Sequence, residues 1–298
     1  RVERSGRITV VTGSSSHGQG HETVYAQLVA DQLHVPFDHI RVLHGDTQAT
    51  PLGTGTFGSR SAMTGGPALL MSSEKVVAKA KRIAAGMLEA SPDDIELVDG
   101  GLAVTGTPEK KVPWQGVAMT AYMRPPQGEE PGLEATSYFD TNGVSAWGFG
   151  AHIASVSVAR DTGQLTIEKF VAVDDCGNVL NPMIVEGQVL GGLAQAFGQA
   201  LLEEVIFDES GQTLTGSLMD YAIPRAEHMP HVIVDHTHTP SPTNPLGVKG
   251  VGEAGTNGAP PAICNAVIDA LSPLGIKHVD MPYTAPKLWQ AIQGANGK

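Results

Sequence analysis

The residue whose setting carries the most chemistry is Glu253, in Lys249-Gly250-Val251-Gly252-Glu253-Ala254-Gly255. Its neighbours are small, and Lys249 is the one nearby polar partner. A carboxylate placed there loses solvation, which disfavours its charged form and raises its pKa. That is the setting of a general base; the plainer reading is a surface glutamate in a glycine turn. Two further loops share the design: His17-Gly18-Gln19-Gly20-His21-Glu22 and Thr56-Phe57-Gly58-Ser59-Arg60-Ser61. Each precedes or opens a helix, so backbone N–H groups are free and the positive end of the helix dipole points outward. Such loops hold anions and acceptor oxygens. The first offers Gly-x-Gly after a strand, but Glu22 and Thr23 follow where a dinucleotide fingerprint needs its third glycine. A nicotinamide site is therefore unsupported, and a tight turn remains the plain alternative.

The elements that must position these loops are legible in outline. RITVVTG is β-branched and reads as a strand ending at Gly13. HETVYAQLVADQL reads as a helix, with Val24, Leu28, Val29 and Leu33 on one face at 3.6 spacing. IRVLHGD reads as a second strand, and a helix is expected from about Pro67 to Met87, with Lys75, Lys79 and Lys81 toward solvent. Residues 95–104 alternate like a strand. Residues 106–135 are polar, rich in Pro and Gly, and read as a surface excursion. From Ala151 two period-2 runs flank Asp161-Thr162-Gly163, a hairpin signal. A glycine-rich helix follows over about 183–202, then a hairpin in VIFDESGQTLTG and a strand in VIVDHTHT. A Pro, Gly and Asn loop over 240–260 leads into a helix beginning PPAICNAVIDAL. The expected class is α+β in two lobes, 1–149 and 150–298, the second carrying the glutamate loop.

Composition limits the partners. Hydrophobic residues at 41% and charged residues at 17% suit a packed globular chain. A net charge of −12 leaves no basic stretch to neutralise nucleic acid phosphates or to meet an anionic membrane. No apolar run approaches the ~20 residues of a membrane span. Two cysteines, Cys176 and Cys264, cannot furnish the roughly four thiolates of an iron–sulfur cluster. Such usage suits a reducing compartment such as the cytoplasm. The eleven histidines show no ligand spacing; His236 and His238 read as a solvated strand face, and Cys176 as packing. The chain opens at Arg1 without Met, which suggests a fragment, a processed chain or a trimmed one.

Four segments in order, GQGHETVYAQ, TGTFGSRS, DDCGNVLNPMIVEGQVLGG and NPLGVKGVGEAG, resemble the molybdenum hydroxylase family. This is the group of xanthine oxidase, aldehyde oxidoreductase and aerobic carbon monoxide dehydrogenase, and the likeness runs from about residue 7 to 292. The resemblance implies molybdenum held by a pyranopterin dithiolene, in bacteria usually the cytosine dinucleotide. No protein side chain then ligates the metal, because the cofactor supplies the sulfurs. It places Gln19 and Glu253 beside the metal, with Gly18, Gly20 and His21 lining the same loop as Gln19. Phe57, Gly58, Ser59 and Ser61 match the stretch under the metal and over the pterin. Asp175, Asn181 and Gln188 match the segment binding the pterin and dinucleotide tail. Gly250 and Val251 belong to the glutamate loop, and Lys249 pairs with a cofactor phosphate or holds Glu253; a surface lysine is the alternative.

By the same resemblance Glu253 is the catalytic base when water-derived oxygen is placed on an electron-poor carbon. Electrons leave through iron–sulfur clusters to FAD, both on partner chains or domains. Complete subunits are far longer, so an upstream cofactor-binding half is implied as a further partner. The substrate is expected to be an aldehyde or an aromatic N-heterocycle. The copper-binding loop of the carbon monoxide enzymes lies in the upstream half, and Ala254 follows Glu253, so carbon monoxide is unsupported. A non-catalytic scaffold that kept the fold is the competing class. Gln19, Ser59, Gln188 and Glu253 standing together favour the enzyme.

Overall fold

The structure is a computed structural model and describes residues 1–50, 52–141, 143 and 146–296. The chain is α+β and divides into two units. The first comprises 1–146 with 241–248, the second 147–240 with 249–298.

The first unit starts with a β-α-β arrangement. Strand β1 (Ile8–Val11) pairs in parallel with β2 (Ile40–Leu43), Ile8 opposite Ile40, and helix α1 (His21–Leu33) connects them. The predicted apolar face of α1 is the buried one: Val24, Val29 and Leu33 are in the core and Leu28 is half-buried. Helix α2 (Ser61–Leu88) follows, then the antiparallel sheet β3 (Ile95–Val98), β4 (Gly101–Val104) and β5 (Thr107–Pro113).

Two expectations fail here. Helix α2 begins at Ser61, six residues before the expected start, with Pro67 inside it. Residues 106–135 are no surface excursion: they hold β5 and helix α3 (Trp114–Met123). Trp114, Val117, Ala118 and Ala121 bury one helical face, and Leu133 is fully buried. The i, i+3, i+4, i+7 spacing was there, masked by flanking Lys, Pro and Gly. The buried Trp114 indole N–H donates to the Leu33 carbonyl (2.9 Å), tying α3 to the end of α1.

In the second unit β6 (Phe149–Val158) and β7 (Leu165–Asp175) form the expected hairpin. Strand β8 (Val232–Thr237) lies parallel to β7, with Thr237 opposite Asp175. Helices α4 (Pro182–Leu201), α5 (Ala254–Leu271) and α6 (Ala285–Asn296) complete it. Its core gathers Phe170, Leu193, Phe197, Ile263, Leu288 and Ile292. The expected hairpin in 205–216 reduces to one bridge, Phe207 with Thr213. Val205, Ile206, Phe207 and Leu214 are exposed there, and a two-stranded ribbon with no face to bury is marginal. Helix α5 starts at Ala254, so Pro260 and Pro261 lie within it, repeating the displacement seen in α2.

The β6–β7 turn makes a sharp demand on one glycine. Gly163 has φ +72°, and a Cβ there would lie 2.1 Å from the Ala285 carbonyl oxygen. Gly163→Ala therefore adds left-handed strain to a clash with backbone that cannot rotate away. Overpacking of this kind costs about 1–3 kcal/mol, and a loss in that range or above is expected from the urea midpoint at unchanged slope. A midpoint equal to that of the parent would contradict the packing of α6 on this turn.

Candidate functional site

In the first glycine loop, Gly18 (φ 117°) and Gly20 (φ 71°) carry the turn into α1. A side chain would be strained at both. Gln19 is half-buried, and its amide folds back onto the loop. Its Oε1 accepts from the His17 N–H (2.8 Å), and its Nε2 lies 2.9 Å from His17 Nε2. His21, the first residue of α1, is buried and stacks on Tyr25. Burial pushes its imidazole pKa down against the opposing charge of Glu22. Its Nδ1 is buried with no hydrogen-bond partner, a state that costs about 1–3 kcal/mol unless something supplies one.

The second loop turns through consecutive left-handed residues, Gly58 (φ 59°) and Ser59 (φ 52°). The serine is the strained one, since a Cβ crowds the backbone there. Phe57 is exposed under the Arg60 guanidinium, 4.0 Å from its ring centroid. Ser61 is buried, with its hydroxyl 3.0 Å from that of Thr56. A Cβ on Gly18 or on Gly58 would meet nothing within 4 Å, so both backbones are open on that side.

Tyr25 joins the two loops. Its hydroxyl donates to the Ser61 carbonyl (3.0 Å) and lies 3.3 Å from Ser14 Oγ. Burial pushes its pKa up to about 12, so it stays a donor at any ordinary pH. Gly65 makes room for it: a Cβ there would sit 2.5 Å from the phenol oxygen. A cavity of about 480 Å³ in the same unit is walled partly by Thr12, Ser14, Arg60 and Ser61, but by none of 17–21.

The remaining candidates lie in the second unit. Asp175 is 1% exposed. Its Oδ1 accepts from Lys249 Nζ (2.9 Å) and from the Gly177 N–H (3.0 Å), and its Oδ2 from Thr237 Oγ1 (2.9 Å). Burial alone would raise its pKa; Lys249, Gly177, Thr237 and Thr239 outweigh that and hold it well below the usual carboxylate range. Lys249 thus pairs with Asp175, and its ammonium also sits 4.6 Å from the Phe149 ring centroid. Its own N–H donates to the Cys176 carbonyl (2.7 Å). Cys176 is buried, which raises its thiol pKa, as does neighbouring Asp175. Asn181 caps α4, accepting from the Ile184 N–H (3.1 Å). Gln188 is half-buried on α4, and Val251 packs against the core beside half-buried Gly250.

Glu253 corrects one expectation. It occupies the position just before α5 and is exposed, so solvent reaches a carboxylate whose small neighbours had suggested burial. Its carboxylate does not cap the helix, while its carbonyl accepts from the Asn257 N–H (3.0 Å).

A family model described as the molybdopterin cofactor-binding domain matches residues 1–230. The chain belongs to that family. It is a molybdenum hydroxylase family member, similar over nearly its whole length to parts of longer proteins. The carbon monoxide dehydrogenase large chain of Hydrogenophaga pseudoflava is 40% identical over 99% of this chain and 37% of its own. The nicotine 6-hydroxylase large subunit of Paenarthrobacter nicotinovorans is 39% identical over 99% and 36%. The crystal structure of quinoline 2-oxidoreductase from Pseudomonas putida 86 superposes with a TM-score of 0.88 at 40% identity, over 98% of this chain and 37% of that one. The chain therefore spans little more than a third of these relatives.

The first unit fits a pterin cofactor on its own residues. Open glycine backbones, a helix N-terminus and an unpartnered imidazole nitrogen offer what a flat ring system dense in donors and acceptors needs. Sequence reasoning missed Tyr25, Ser14, His152 and Asp174. Tyr25 stands four residues after His21 on one helical face, a signal that was available. His152 shares the inward face of β6 with Ala154, Val156 and Val158 and showed none.

Proposed function

We propose that this chain supplies part of the molybdenum-cofactor site of a hydroxylase that adds water-derived oxygen to an electron-poor carbon. The observation that carries the reading is the buried, unpartnered His21 Nδ1 beside the open glycine backbones of the family's cofactor-binding domain. When bound, the molybdenum–pterin group supplies a centre that accepts two electrons from the substrate. Gly18, Gln19, Gly20 and His21 would hold it, with Phe57, Gly58, Ser59 and Ser61 lining the same unit's second loop. In the second unit Asn181, Gln188, Gly250 and Val251 are the proposed contacts to the dinucleotide tail, in its cytosine form. Asp175 and Lys249 act on that segment through each other. Glu253 takes the proton from the hydroxyl whose oxygen enters the product. Iron–sulfur and FAD partners, an upstream half of the cofactor site and a cytoplasmic location belong to the same reading.

The substrate class we favour is an aromatic N-heterocycle or an aldehyde, the former because nicotine and quinoline enzymes are among the relatives. Carbon monoxide, which the sequence alone left unsupported, fits as a second reading, since a carbon monoxide dehydrogenase is 40% identical. The test is to purify the native complex and measure molybdenum, pterin and nucleotide released by acid. Turnover with quinoline, an aldehyde and carbon monoxide is then followed with a dye acceptor. Stoichiometric molybdenum, released CMP and turnover of one substrate class are expected. A native complex free of molybdenum and pterin would make the chain a scaffold.

A further inference from the structure

The segment carrying Glu253 is rich in glycine, at 250, 252 and 255, and such backbone has much freedom to lose. It is nonetheless gripped at both ends from adjacent residues of one strand. At its start Lys249 is paired with Asp175 on β7 (2.9 Å). At its far end Gly258, in the second turn of α5, rests on the His152 ring of β6. A Cβ on Gly258 would lie 2.4 Å from His152 Nδ1 and 2.6 Å from its Cε1. That ring is set by Asp174: Nε2 is 3.3 Å from Oδ1 and 3.2 Å from Oδ2, and the side chains are 3% and 11% exposed. Gly150, opposite Asp174, has no Cβ to displace the carboxylate, which comes 2.2 Å from where one would stand. Phe170 meets the ring edge-on, with centroids 5.7 Å apart.

A carboxylate can only accept, so Nε2 is the donor to Asp174, and Nδ1 is buried without a hydrogen-bond partner. An apolar side chain would fill the same space without that cost. What the polar pair adds is a fixed ring orientation against the helix. Between the two grips, Gly255 lies directly on α4, its absent Cβ 2.5 Å from the Val189 carbonyl oxygen. We infer that Asp174 and Asp175 clamp segment 249–258 at both ends, and that His152 is thereby a positioning residue for Glu253. This rests on the reading of Glu253 as the base.

The test uses the assembled enzyme with Gly258→Ala, His152→Ala, His152→Gln and Glu253→Gln. Gly258→Ala and His152→Ala are expected to lower kcat about 10–100-fold, the effect of a displacement near 1 Å. KM and molybdenum content stay near parental values, and amide hydrogen exchange over 249–258 accelerates. His152→Gln, whose amide can still donate to Asp174, should recover part of the rate. Should His152→Ala fail to assemble, Gly258→Ala reads the same contact from the helix side. A lowered Tm with kcat and exchange unchanged in either variant would make the pair merely structural and overturn the inference. Full loss in Glu253→Gln with Gly258→Ala unaffected would overturn the positioning role alone. Retained turnover in Glu253→Gln would overturn the base and this inference with it.

Discussion

Replacing Glu253 with glutamine is expected to lower kcat of the assembled enzyme by about 10²–10⁴-fold, the usual contribution of a positioned general base. KM and cofactor content should hold. The substitution keeps the shape of the side chain and removes its basicity. Its structural consequences are small for reasons visible in the fold. Glu253 is exposed, so no cavity or buried orphan results, and its carboxylate does not cap α5. The attraction between a negative charge and the helix N-terminus is worth about 0.3–1 kcal/mol. A fall in rate with parental molybdenum, pterin and thermal stability thus isolates proton transfer. Turnover within about threefold of the parent, below the smallest effect expected of a general base, would remove Glu253 from the chemistry.

Local pattern was enough for α1, whose bounds follow from its apolar spacing and from Gly20, and for the turn at 161–163. It misled at α2 and α5 in one and the same way. Proline is favoured at the first helical position, so Pro67 and Pro260 read as helix starts. In both helices that proline is the seventh residue. The glycines before them read as loop, yet they are helical and allow close approach. Gly65 admits Tyr25, Gly66 admits Leu246, Gly255 admits α4, and Gly258 admits His152. Which partner arrives is a tertiary fact that no local window contains.

The site divides along the same line. The loop identities of Gln19, Gly58 and Glu253 could be read from four short motifs. Their environments could not. Glu253 was expected to be desolvated by small neighbours, whereas small neighbours at the exposed end of a helix leave it open to water. Lys249 was assigned to a phosphate or to Glu253 because both partners were close in sequence or in chemistry. Its actual partner is 74 positions away, brought beside it by β7. The lysine that looked like a ligand contact is tied into the frame that holds the glutamate segment.

That frame should be the most costly place to cut. Lys249→Met keeps most of the side-chain volume and removes the cation. Asp175 then remains fully buried with Gly177, Thr237 and Thr239 as donors but without the Lys249 cation. Breaking one side of a buried pair costs about 3–5 kcal/mol, and a drop of that size in unfolding free energy is expected at pH 7. Acid should narrow the gap, and the sign follows from Asp175. Its folded-state pKa is depressed, because Lys249 and three further donors outweigh the burial that alone would raise it. A group of that kind stabilises above its unfolded value, about 3.9 for Asp, and the stabilisation is lost as pH falls from there through the folded value. In Lys249→Met the same carboxyl protonates more readily, which relieves the variant before the parent. The difference between the two urea curves should therefore be full at pH 7 and shrink on acidification as the variant's carboxyl protonates in the folded state while the parent's stays ionised. Other titrating groups are common to both proteins and cancel in the difference. A gap under about 1 kcal/mol at pH 7, the range of an exposed pair, or one that does not change on acidification, would mean that the pair is hydrated and grips nothing.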